Sequence, residues 1–155
     1  MDIIDINILK QLQLKADTSL ADLASRIKIS KTACWNRIRR LEELSVIKGR
    51  QTILNRKALN LPIVVFLSIT VRQHSTHWIE KFSALVNDYE EIVEVYRTTG
   101  EGADYQLKII CNTIEAYDKL QQELISKIEF NTMATRVSLQ EIKQSFILPL
   151  CQFNK

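Results

Sequence analysis

Apolar residues recur every third or fourth position through the first third of the chain, and every second position through much of the remainder. Ile4, Ile8 and Leu12, with Leu9 beside them, give residues 2–14 one apolar face, which predicts an amphipathic helix. Ser19 is a cap residue, and Asp22 three positions on complements the positive end of a second helix. In that helix Leu20, Leu23 and Ile27 share a face, and Ala24 is small enough for a close crossing. Only Lys28-Ile29 separates it from another cap, Ser30, so a third helix follows at a steep angle. Ser45–Leu54 reads as two short strands bent at Gly49, and Asn55–Leu61 as a polar, basic linker before Pro62 opens a new register. Beyond it, Ile63–Val71 is a strand signal, and Trp78, Phe82, Leu85 and Val86 give His77–Val86 helical spacing. Ile92–Thr98 and Tyr105–Cys111 are strands joined by the turn Gly100-Glu101-Gly102-Ala103. Asn112 or Thr113 caps a helix to about Leu124, with Ile114, Tyr117, Leu120 and Leu124 inward. Thr135–Phe146 carries period-two strand character, followed by Leu148-Pro149-Leu150. The predicted class is α+β: an N-terminal winged helix-turn-helix over 1–54, a linker over 55–61, and a ferredoxin-like βαββαβ domain over 62–155.

The third helix, opened by Ser30, is where the pattern points to chemistry. At about 100° per residue, Cys34, Ile38 and Leu41 fall on one stripe. Thr32, Trp35, Asn36 and Arg39 fall on the opposite side, flanked by Arg40, with Arg37 nearer the apolar edge. A solvent face of Arg, Asn, Thr and Trp suits a helix in the DNA major groove, where Arg and Asn make two-pronged hydrogen bonds to base edges. In this reading Thr32, Trp35, Asn36 and Arg39 read bases, while Ser30 opens the helix and Lys31, Arg40, Lys48 and Arg50 anchor phosphates. Two side chains have a competing role. Trp35 can instead cap the three-helix core, and Arg37 can bridge to an acid on the first helix.

Composition sharpens the division of labour. The chain has 155 residues, 46% of them hydrophobic, and a net charge of +3. Residues 1–60 hold 12 Lys and Arg against 6 Asp and Glu, whereas residues 61–155 hold 9 against 12. A basic front half joined to an acidic back half fits a polyanion-binding module attached to one that leaves the polyanion alone. Cys34, Cys111 and Cys151 are dispersed and odd in number, which argues against a disulfide framework and a zinc site. His74 and His77 have H-x-x-H spacing without a nearby cysteine, and read as an exposed loop. The glycines are too few and too scattered for a nucleotide-cradling loop. No cofactor and no catalytic residue is expected. The start Met1-Asp2-Ile3-Ile4-Asp5 is unlike a signal peptide, and no stretch approaches a membrane span, so a cytoplasmic protein is expected.

Several landmarks now occur in a specific order: Asp2…Asp5…Ile8-Leu9, Ser19…Asp22-Leu23-Ala24, Ser30 through Arg37-Ile38…Arg40-Leu41-Glu42, and Val46-Ile47…Gly49. Thr99-Gly100…Asp104-Tyr105 and Glu141-Ile142-Lys143…Leu148-Pro149-Leu150 follow. In these residues the chain resembles the leucine-responsive regulatory protein/AsnC family of prokaryotic transcription regulators over nearly its whole length. The resemblance implies a sequence-specific regulator of double-stranded DNA with a palindromic operator. It also implies a homodimer, often built up to an octamer, and a small effector, typically an amino acid, bound between effector domains. Gly100 and Asp104 match the family's turn near its ligand pocket, so Thr99, Gly100, Glu101, Gly102 and Asp104 form the candidate effector-binding set. Here the turn reads one residue longer than the family's form. Lys28 and Ser45 also depart, where glycine is common. Two rival readings stand beside this one. Siroheme decarboxylases are similar in two-domain architecture but have no need of a basic reader face. A DNA-coating protein would bind with little sequence preference and steep salt dependence.

Overall fold

The structure, a computed structural model, describes residues 1–150. It divides into two compact units. One comprises Met1–Ile53 and the described residues from Lys143 onward; the other is Leu54–Ile142.

Three helices make the first unit: α1 Ile3–Leu14, α2 Leu20–Ile27 and α3 Lys31–Glu43. Each begins where a side chain relieves unpaired backbone N–H groups. The Asp2 carboxylate accepts from the Asp5 N–H at 2.9 Å, and the Asp2 N–H donates back to the Asp5 carboxylate at 3.0 Å. Ser19 accepts from the Asp22 N–H and Ser30 from the Ala33 N–H, both at 3.1 Å. Ile8, Leu9, Leu23, Ala24, Cys34, Ile38 and Leu41 close a single core, against which Ile4, Leu12, Leu20 and Ile27 pack. The tight α2–α3 turn passes through Lys28 at φ 61°, a left-handed conformation, with the Ile29 N–H closing onto the Ala24 carbonyl at 3.0 Å.

Two expectations fail next to this unit. Residues 45–54 form no strand pair around Gly49. Instead Ser45 turns left-handed at φ 55°, and the Val46 and Ile47 N–H groups both donate to the Leu41 carbonyl, so the segment terminates α3. Nor does everything from residue 62 onward belong to the back unit. The Leu148 N–H donates to Gln13 Oε1 on α1 at 2.6 Å, and Leu150 packs against the helical core.

In the second unit a four-stranded antiparallel sheet has the order β2-β3-β1-β4, built from β1 Ile63–Thr70, β2 Ile92–Arg97, β3 Tyr105–Cys111 and β4 Thr132–Val137. α4 Thr76–Asn87 and α5 Ile114–Lys127 are capped by Ser75 and Thr113. Both helices cover the same face of the sheet, where Val65, Leu67, Ile69, Leu107 and Ile109 meet Phe82, Leu85, Tyr117, Leu120 and Leu124. The fourth strand is shorter than the period-two pattern of Thr135–Phe146 suggests. Its ladder with β1 ends at Val65 opposite Val137 and one last bond from the Ser138 N–H to the Val64 carbonyl. The expected linker is a hydrogen-bonded turn. Asn55 Oδ1 accepts from the Lys57 and Ala58 N–H groups, and Arg56 Nη1 donates to the carbonyls of Leu61 and Pro62.

Candidate nucleic-acid interface and effector turn

Sequence periodicity assigned the faces of α3, and the packing agrees with it. Cys34, Ile38 and Leu41 are buried, whereas Lys31, Thr32, Trp35, Asn36, Arg39 and Arg40 are exposed. Burial pushes the Cys34 thiol pKa up, which suits a packing residue and not a nucleophile. Trp35 is 47% exposed, and it lines a small cleft together with Leu12, Leu20 and Leu23. The Arg39 guanidinium carbon lies 5.1 Å from the centre of the Trp35 ring. Lys48 and Arg50 are exposed beyond the helix, and Arg50 Nη2 approaches Glu42 at 3.6 Å.

Arg37 stands apart from the others. Its Nη1 lies 2.7 Å from both the Asp2 and the Asp5 carboxylates, so it ties α3 to the start of α1. Asp5 is 5% exposed and would be costly without a cation. Hydrogen bonds to Asp5 first and Asp2 second raise the Arg37 pKa. The Asp5 backbone N–H, followed by Arg37, holds the Asp2 carboxyl below its ordinary 3.8. This is the bridging role that sequence reasoning left open for Arg37.

The effector turn joins β2 to β3. Gly100 and Gly102 sit at φ 112° and 92°, where a side chain would be strained. Thr99 and Glu101 are exposed. Asp104 is not an open carboxylate: Oδ2 accepts from the Val71 N–H at 2.7 Å, and Oδ1 lies 3.4 Å from His74 Nε2. The Thr98 hydroxyl donates to the Ala103 carbonyl at 2.7 Å, closing the base of the turn. Asp104 therefore holds the turn to the end of β1, and Glu101 is its outward acid. Periodicity carried no sign of the His74 contact. Among the described residues no group of three or more His, Cys, Asp or Glu side chains is placed to hold a metal ion. Cys34 and Cys111 are buried and unbridged, while Cys151 lies outside the described residues. No described helix is long and apolar enough to cross a membrane.

Two family descriptions match successive stretches of the chain. Residues 1–48 match the winged helix-turn-helix DNA-binding family, and residues 64–148 match the Lrp/AsnC ligand binding domain. The chain belongs to the Lrp/AsnC family. It is 39% identical to the glutamate uptake regulatory protein of Zymomonas mobilis over 97% of its own length and 91% of that relative's. With the leucine-responsive regulatory protein of Escherichia coli K12 it shares 36% identity over 94% of this chain and 88% of that one. An AsnC family transcriptional regulator from Agrobacterium tumefaciens superimposes with a TM-score of 0.91 at 37% identity, covering 97% of both chains. A transcriptional regulator from Neisseria meningitidis, solved as a complex with L-Met, also superimposes at 0.91, with 26% identity and 99% of both chains covered. This Lrp/AsnC chain is accordingly a transcriptional regulator with a DNA-binding helix-turn-helix and a ligand-binding domain.

Proposed function

We propose that α3 lies in the major groove of a palindromic operator, presenting Thr32, Trp35, Asn36 and Arg39 to base edges. Lys31, Arg40, Lys48 and Arg50 contact phosphates, Ser30 sets the start of the helix, and Arg37 braces the domain from behind. The observation that carries this reading is the exposed face of α3. It concentrates Arg, Asn, Thr and Trp on the side away from the core. The chain works in the cytoplasm as a homodimer or a multiple of dimers, and the two-fold axis of the dimer is matched by the two-fold of the site. Its effector is an amino acid or a close analogue, bound by the turn Thr99–Asp104. Gly100 and Gly102 let the backbone approach the ligand, and Glu101 pairs with its ammonium group. The neighbour crystallised with L-Met supports that class of effector.

The test is selection from a randomised DNA pool at near-physiological salt, with and without a mixture of amino acids. The expected result is a palindromic consensus whose enrichment changes when the amino acids are present. Enrichment of no sequence under any condition would overturn the operator reading. A consensus indifferent to every amino acid would overturn the effector.

A further inference from the structure

The proposed base readers on α3 are not independent of one another. Trp35 and Arg39 are one helical turn apart, the spacing at which side chains on a helix surface meet. At 5.1 Å from the ring centre, the Arg39 guanidinium is within reach of the electron-rich face of the indole. The other tether available to Arg39 is Glu43 at 3.9 Å, an exposed pair with little holding power. Trp35 is better fixed. It lines a cleft together with Leu12, Leu20 and Leu23, and an indole has only two torsions to restrict. A flexible, exposed arginine is thus held against a side chain with fewer torsions than its own.

We infer that Trp35 is a positioning residue for Arg39, and that at the base pair Arg39 reads, selectivity passes through the guanidinium and not through the indole. This rests on Arg39 contacting a base edge. A cation resting on a ring face keeps N–H donors for a bidentate contact, and the base that offers two acceptors to such a fork is guanine, through O6 and N7. Restricting Arg39 before DNA arrives removes part of the ordering cost of binding. The gain is realised only at the base pair that Arg39 reads.

The experiment compares wild type, Arg39→Ala, Trp35→Ala, Trp35→Phe and the Trp35→Ala/Arg39→Ala double variant. Each binds the selected operator and its single-base-pair substitutions across a range of salt concentrations. Arg39→Ala is expected to relax the preference at one G·C pair. Trp35→Ala lowers the preference at that same pair by about two- to five-fold, the size expected of an exposed cation–π contact. Its salt dependence stays that of wild type, because no phosphate contact is lost. Trp35→Phe, which keeps a weaker ring face, falls between wild type and Trp35→Ala. In the Arg39→Ala background, Trp35→Ala has no further effect at that pair. Thermal unfolding of each variant separates a folding defect from a binding one. If Trp35→Ala leaves the preference at the pair read by Arg39 unchanged, or still acts at that pair without Arg39, the inference is overturned while the reading of Arg39 stands. If Arg39→Ala weakens all sequences equally, Arg39 is a phosphate contact, and both fall together.

Discussion

At the scale of single residues, the clearest division is between arginines on the same helix. Arg39 is exposed on the face proposed to read DNA, whereas Arg37 neutralises Asp5, the one buried charged residue among those described. Replacing Arg37 leaves a buried carboxylate unpaired. Arg37→Met should therefore destabilise the helical unit by about 1–3 kcal/mol in chemical denaturation. Adding Asp5→Asn to that variant should recover part of the loss. The operator consensus of the folded fraction should stay unchanged. The same cluster sets an acid limit. The Asp2 carboxyl titrates below its ordinary 3.8 in the folded state, so the stability it contributes is complete above that pH and is lost as the pH falls through the folded value. Melting temperatures followed from about pH 6 to about pH 3 should fall less steeply for Asp2→Asn than for wild type. An equally steep fall would show that other carboxylates dominate the acid limb. None of this pairing was legible beyond the alternative already noted for Arg37. A 32-residue separation between Asp5 and Arg37 leaves no trace in a local pattern.

At the scale of elements, local chemistry carried most of the information. Ser19 and Ser30 cap where they were expected to, and of the two candidates Asn112 and Thr113 it is Thr113 that caps α5, because a side-chain oxygen beside an apolar-periodic run has an unpaired N–H within reach. The departures from glycine at Lys28 and Ser45 were legible too, and both residues adopt the left-handed conformation that glycine tolerates. Lys28→Gly should thus raise the stability of the helical unit by up to about 1 kcal/mol. A lower melting temperature would mean that the flexibility of the unfolded chain outweighs the relieved strain. The strands expected around Gly49 and beyond Val137 misled for a common reason. Alternation shows that a segment can pair, but not that a partner is present. Before Gly49 the Val46 and Ile47 N–H groups are used to end α3, and beyond Val137 the pairing with β1 stops after one bond, from the Ser138 N–H to the Val64 carbonyl.

At the scale of the whole molecule, the sheet of the second unit has one face covered by α4 and α5, and the other carries Phe66, Tyr96 and a polar chain. Ser68 donates to Gln106 and accepts from Arg136, each at 3.0 Å, and Lys108 meets Glu94 at 2.8 Å. The Lys108 contact, more than any other, holds the Glu94 carboxyl below its usual range. A satisfied polar network around an exposed phenylalanine suits a face that pairs with a second copy. If the dimer forms there, Phe66→Asp should shift the protein to monomer in sedimentation analysis and weaken operator binding severely, while the monomer keeps its helical content. A dimer that persists would place the two-fold axis elsewhere. By itself the sequence determined the class of fold, the order of the helices and of the four sheet strands, and most of each helix's inward face, since periodicity and capping act over a few residues; Ile114, expected inward, is 45% exposed at the start of α5. The tertiary structure alone decided that Arg37 serves Asp2 and Asp5, that Asp104 is bound to Val71 and His74, and that Gln13 clasps Leu148. Those partners lie tens of residues apart, and they meet only because the packed elements bring them together.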